Sequence, residues 1–205
     1  LNQNDNVKVL HDQTQIPILR QSLYFGARGV QLFFMISAFT LFNSSFARFA
    51  TDQHPKLNFY IRRMFRILPY WWLMVFCYAW GGGIKDIGRV SASLFMYFGF
   101  IRFYISDVVP GGWTIFVEET FYVLMPFLIR HISGLSRAYK FLATTLILSV
   151  VWRVSAIVFH LPDAQSFIFL FPLTHWYAFA MGIVLFYLHK NYRAWLQTKR
   201  PWLWA

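Results

Sequence analysis

GGWTIFVEETFYVLMPFL, residues 111 to 128, has the apolar character and nearly the length of a membrane-spanning helix, yet it carries two adjacent carboxylates, Glu118 and Glu119. About 20 apolar residues cross the ~30 Å of hydrocarbon in a bilayer. A carboxylate costs ~2.5 to 3.5 kcal/mol at the bilayer centre on insertion scales, and less near the surface, so it faces protein or water rather than lipid. Trp113 marks the outer interface, which places Glu118 about 7.5 Å deeper at a helical rise of ~1.5 Å per residue. Glu118 shares a helical face with Thr114 and Tyr122, whereas Glu119 is rotated about 100° away, so at most one of them points directly into a given cavity. One reading puts both acids in the first turns of a helix, where the dipole favours negative charge. The other makes a buried functional acid. The second is favoured for Glu118 and the first for Glu119.

The rest of the chain shares this character. Its 205 residues are 58% hydrophobic, 21% aromatic and only 13% charged, against roughly 25% charged in an average soluble domain. That composition specifies an all-α, polytopic membrane protein. The formal net charge is +11, but the positive residues stand between apolar runs rather than along one polar face. This is how a bilayer protein orients itself against anionic headgroups, and nucleic acid is set aside as a partner. The single cysteine, Cys77, lies inside an apolar run and excludes an intramolecular disulfide.

Six apolar runs follow one another: Gly29 to Phe46, Ile67 to Ile84, Val90 to Ile105, residues 111 to 128, Phe141 to Phe159, and Ser166 to Leu188. In the second, Pro69 is expected in the first turn, Trp71, Trp72 and Trp80 at aromatic-belt positions, and the glycines at 81 to 83 as the stop. Residues 1 to 22 are polar and read as an outer segment with no signal peptide, and the Leu at position 1 suggests that a piece is missing upstream.

Orientation follows from the connections. Arg48, Lys56, Arg62, Arg63 and Arg66 fill the linker between the first two runs, and the stretches RHISGLSRAYK after the fourth run and HKNYRAWLQTKRPW at the end are also basic. All three belong inside. If every run crossed, RHISGLSRAYK would fall outside, so the short third run is expected to dip into the membrane or lie at its outer surface. The expected fold is five spanning helices plus one re-entrant or interfacial segment.

Two further groups carry chemistry. In NFYIRRMFRILPYWW, Arg62, Arg63 and Arg66 stand at the inner mouth of the second span, with Arg62 and Arg66 one turn apart. Guanidinium forks suit phosphate and pyrophosphate, and an anchor against anionic lipid fits the position equally well. In FFMISAFTLF, Ser37 and Thr40 are small hydroxyl residues amid bulk, a pattern that more often serves helix packing than chemistry.

The six histidines, His11, His54, His131, His160, His175 and His189, show no metal-ligand spacing, and no metal site is expected. His175 falls inside the last apolar run, where a hydrogen-bonded packing role is favoured over proton transfer.

Taken in order, GVQLFFMISAFTL, FYIRRMFRILPYWW and GGWTIFVEETFYVLMPFL resemble the successive blocks of the acyltransferase 3 family of membrane O-acyltransferases. The likeness is close from Gly26 to about Pro126 and general beyond. It implies a multi-pass protein of the bacterial inner membrane that moves an acyl group, usually acetyl, from cytosolic acyl-coenzyme A to a hydroxyl of an envelope glycan. The family's Arg-x-x-Arg element falls on Arg63 and Arg66, its Ser-Gly-Phe-Leu element on Ser37 to Thr40, and its Trp-to-Glu-to-Phe-Tyr block on Trp113, Glu118, Phe121 and Tyr122. Acyl-coenzyme A enters as a donor substrate, and no permanently bound cofactor is implied.

Two positions depart from the pattern. The family's glycine after the serine is Ala38 here, which keeps the site small. The family's first span, with an Arg followed about eleven residues later by the presumed catalytic His, has no match. His11 does not substitute, since residues 2 to 8 are too polar to span. The chain therefore reads as a single membrane domain over residues 1 to 205 that lacks the general base. In the mechanism so implied, Arg62, Arg63 and Arg66 hold the coenzyme A phosphates and Glu118 orients the base, balances its charge or binds the acceptor. Glu119 and Tyr122 belong to the same motif. A transporter or flippase, which would also want an intramembrane acid and a basic mouth, and a non-catalytic membrane scaffold remain as alternatives.

Overall fold

The structure is a computed structural model that describes residues 17–101, 103–105, 108–159 and 164–199. The polar segment up to residue 16, with His11, and also His160 lie outside the described residues. Two compact units divide between Phe33 and Phe34. In the first, the described residues from Pro17 onward are helical, so residues 17 to 22, read above as part of a polar outer segment, already belong to a helix.

Among the described residues the secondary structure is entirely helical: α1 (Pro17–Thr51), α2 (Pro55–Gly81), α3 (Ile87–Leu94), a 3-10 turn (Phe98–Phe100), α4 (Gly112–His131), α5 (Leu135–Val158), α6 (Ala164–Leu170), a second 3-10 turn (Pro172–Thr174) and α7 (Trp176–Lys199). Within these, Gly29–Phe49 and Gly112–His131, with mean hydropathies of 1.4 and 1.3, are long and apolar enough to cross a membrane by that measure alone. The other long helices present apolar residues outward as well. Phe65 is 78% exposed on α2 and Ile147 63% exposed on α5, side chains that lipid would cover and water would penalise.

The short third run behaves as its length demands. α3 is only 8 residues long, is N-capped by Asp86, whose carboxylate accepts from the Gly88 and Arg89 amides, and gives way to a 3-10 turn. It packs on α2, where Trp71 Nε1 donates to the Ser93 carbonyl at 2.8 Å and Trp72 Nε1 to the Leu94 carbonyl at 3.0 Å. Gly99 allows the Phe116 ring to lie against its backbone, since a Cβ there would come within 2.1 Å of that ring. Trp71, Val75, Ala92, Phe98, Val109 and Phe116 form one buried apolar cluster beneath this segment.

Several boundaries differ from the sequence reading, because hydropathy registers where apolar residues are and not where hydrogen bonding stops. The basic linker between the first two runs is mostly helix: α1 continues to Thr51 and α2 starts at Pro55, with proline in the first turn. Pro69 consequently falls inside α2 rather than in its first turn, where it cannot donate to the Phe65 carbonyl. Trp71 is 1% exposed, a core residue and not a belt residue, whereas Trp80 is 91% exposed, as a belt position requires. α2 ends as expected at its glycines, with Gly83 at φ 62°, a left-handed conformation that glycine adopts without strain. The sixth run is not one helix. It breaks at the Pro172–Thr174 turn, so α7 begins only at Trp176 and carries the basic residues His189, Lys190 and Arg193 within its last turns.

α5 packs along α7. α1 and α7 approach closely at Gly182, where a Cβ would lie 2.2 Å from the Met35 carbonyl oxygen and 2.9 Å from the Ala38 Cβ. Small residues in membrane helices permit this intimacy of backbones. The aromatic rings of Phe34 and Phe121 stack on Phe179 of α7 at 4.7 and 4.2 Å, which ties α1, α7 and α4 into one bundle.

Candidate active site

The three stretches singled out in the sequence converge. Ser37, at mid-height on α1, donates its hydroxyl hydrogen to Glu118 Oε1 of α4 at 2.5 Å. Tyr122, one turn after Glu118, donates to the same oxygen, and the two hydroxyl oxygens are 3.3 Å apart. A carboxylate oxygen with two hydroxyl donors is well supplied, and that is the condition under which an acid is tolerated at such a depth. The i, i+4 relation to Tyr122 follows from helical geometry, but the cross-helix partner comes from a residue 81 positions away.

Arg63 completes the group. Its guanidinium carbon lies 5.0 Å from the centroid of the Tyr122 ring and 5.8 Å from that of Phe59, within the range of a cation–π contact. Because α2 starts at Pro55, Arg63 is about 12 Å along the helix. Tyr60, in the preceding turn, donates to the Val123 carbonyl at 2.8 Å and fixes α2 against the middle of α4. A half-buried guanidinium beside a hydroxyl–carboxylate pair is unlike a surface lipid anchor, which would keep its charge among headgroups.

The arginines divide. Arg62 is drawn to Asp52 by an ion pair of 3.1 Å at the α1–α2 turn, and Arg66 is exposed. The sequence placed Arg62 and Arg66 together on one face; the structure gives the neighbour of Glu118 to Arg63 instead.

Thr40 bonds back to the Ile36 and Ser37 carbonyls at 2.9 and 3.1 Å, the packing role anticipated for such hydroxyls. Glu119 turns away from Ser37, as the 100° offset requires, and lines a separate apolar cavity of about 550 Å³ walled by Phe100, Phe116, Leu173 and Trp176. Its Oε1 is buried with no protein hydrogen-bond partner. Trp113 is not directed at Glu118. Its ring lies 5.1 Å from that of His175 and 6.2 Å from that of Phe169.

His175 is in the break before α7 rather than within a continuous helix. Its Nε2 is 2.6 Å from the Phe169 carbonyl oxygen, so this nitrogen carries the proton and donates. The imidazole thereby ties the chain across the helix break, in line with the hydrogen-bonded packing role. What the sequence reading missed is the service of Phe179 and Gly182 on α7. The signal was a lone glycine in an otherwise bulky apolar helix, a pattern that marks close approach of a neighbour.

A family model described as an acyltransferase domain matches residues 6–205. No curated protein and no solved structure matches this chain.

Proposed function

The chain belongs to the acyltransferase family whose domain it matches from residue 6 to its end, and from that premise we propose that it is a multi-pass enzyme of the bacterial inner membrane transferring an acyl group, acetyl by preference, from acyl-coenzyme A to a hydroxyl of an envelope glycan. The observation that carries the reading is the Ser37–Glu118–Tyr122 cluster with Arg63 over the Tyr122 ring. It places an acid, two hydroxyls and a cation from three helices within one site, an arrangement with little purpose in a lipid-facing bundle.

In the reaction, the acceptor hydroxyl oxygen attacks the thioester carbonyl carbon. A C–O bond forms, the C–S bond breaks, and the hydroxyl proton passes through a general base to the departing thiolate. The base is the histidine that the family resemblance assigns to a further span. Glu118, which already accepts two hydrogen bonds, would orient that imidazole, balance its positive charge or receive the acceptor. Arg63 and Arg66, on successive turns of α2, would hold the donor's phosphates by charge-assisted bonds, with Arg62 contributing at the edge. The wall of apolar residues around them would leave room for the thin pantetheine arm and exclude water, which would otherwise compete as acceptor.

The test uses membranes carrying the full-length protein, supplied with acetyl-coenzyme A and the host's envelope glycan fraction. Release of free thiol matched by ester on the glycan supports the reading. Movement of glycan without thiol release would overturn it in favour of transport.

A further inference from the structure

Between the last turns of α1 and those of α7 lies a second pocket, of about 480 Å³, to which the reaction described above assigns no part. Asn43, His189, Lys190 and Arg193 supply its polar lining, and Phe46 and Phe186 its apolar floor. Among the described residues no carboxylate lines it. Lys190 Nζ lies 4.1 Å from the centroid of the Phe46 ring and His189 packs edge-on to Phe39 at 5.9 Å, so both side chains rest against aromatic rings of α1.

We propose that this pocket is a binding site for the phosphate headgroup of an anionic phospholipid in the leaflet facing the basic ends of the helices. Depth is the argument for a lipid as the source of the phosphate. On the next turn of α7, Tyr192 and Trp195 stack at 6.0 Å and are 59% and 52% exposed, which marks that turn as the level of the headgroups. Just below, the exposed apolar side chains of Leu185 and Leu188 continue down α7 and would accompany the acyl chains. A basic pocket between membrane helices on this side, with an apolar path leading away from it, complements a phosphate carrying two fatty chains.

The site is separate from the Ser37–Glu118–Tyr122 cluster, and its test needs no enzymatic turnover. The full chain is reconstituted in phosphatidylcholine vesicles containing a trace of spin-labelled phosphatidylglycerol or spin-labelled phosphatidylcholine, and the motionally restricted lipid fraction is measured. The expected result is a preference for phosphatidylglycerol that falls roughly fivefold for each charge removed in K190Q and K190Q/R193Q, and that K190R retains. All three changes fall on exposed positions of α7. R137Q/K140Q, which removes the same charge from α5, should leave the preference intact. An equal fall in that control, or no preference in the unmodified chain, would overturn the proposal. So would displacement of the labelled phosphatidylglycerol by inorganic phosphate or free coenzyme A at constant ionic strength, because the pocket would then serve a soluble phosphate.

Discussion

Ser37 on α1 and Glu118 on α4 share a hydrogen bond of 2.5 Å across the bundle, between residues 81 positions apart in the chain. Through it the serine motif and the glutamate motif become one site, and Tyr122 closes the group by donating to the same carboxylate oxygen.

Glu118→Gln keeps the shape of the side chain and removes its acid function. The amide oxygen can still accept from Ser37, but the amide can neither ionise nor exchange a proton with a neighbouring base. Acyl transfer is expected to fall by about 100-fold or more with the amount of protein in the membrane unchanged, as read by thiol release and immunoblot. Normal transfer by this variant would remove Glu118 from the mechanism.

Ser37→Ala and Tyr122→Phe each delete one donor and leave the other in place. Singly they should lower thermal stability in detergent by about 0.5 to 2 kcal/mol, the range for a lost side-chain hydrogen bond in a membrane helix bundle. Because both bonds end on one oxygen, the double variant should depart from additivity by more than about 0.5 kcal/mol. Strict additivity would mean that the hydroxyls act independently.

The division of the arginines gives a ranking. Arg63→Ala and Arg66→Ala are each expected to raise the apparent KM for acyl-coenzyme A by roughly 10-fold, the loss of one charge-assisted contact. Arg62→Ala should do less, since that side chain already pairs with Asp52. Initial rates against donor concentration decide the order, and an unchanged KM in both Arg63→Ala and Arg66→Ala would end the phosphate role.

Gly182→Val tests the close approach of α1 and α7. Its Cβ alone would lie 2.2 Å from the Met35 carbonyl oxygen, which is backbone and cannot turn aside. A loss of about 1 to 3 kcal/mol or more is expected from overpacking, seen as a lower unfolding midpoint in detergent. The larger Ala38→Leu change should behave alike, because Ala38 is 0% exposed and faces Gly182.

Much of the site was legible because its parts are local. An acid in an apolar run advertises itself by its cost, and the i, i+4 spacing of Glu118 and Tyr122 follows from the helical repeat alone. The third run's failure to span was also readable, from its length and from the charge of its neighbouring connections. Helix ends were less so, since a helix that projects beyond the bilayer continues through charged residues without any change that hydropathy can register. For that reason nothing in the sequence signalled that Arg63 lies over Tyr122 in the middle of α4.

By itself the sequence determined the class of molecule, the all-helical fold, the small residue at position 38 and the acid that needs partners, because each follows from composition or from spacing within one helix. Only the tertiary structure decided which partners those are. That Ser37 rather than Thr40 reaches Glu118, that Arg63 rather than Arg62 covers Tyr122, and that Glu119 looks into a different cavity all depend on how α1, α2 and α4 are turned about their axes. That rotation is set by packing, at Gly182 against Met35 and in the Phe121–Phe179–Phe34 stack. Those contacts join distant parts of the chain, and no periodicity within a single helix records them.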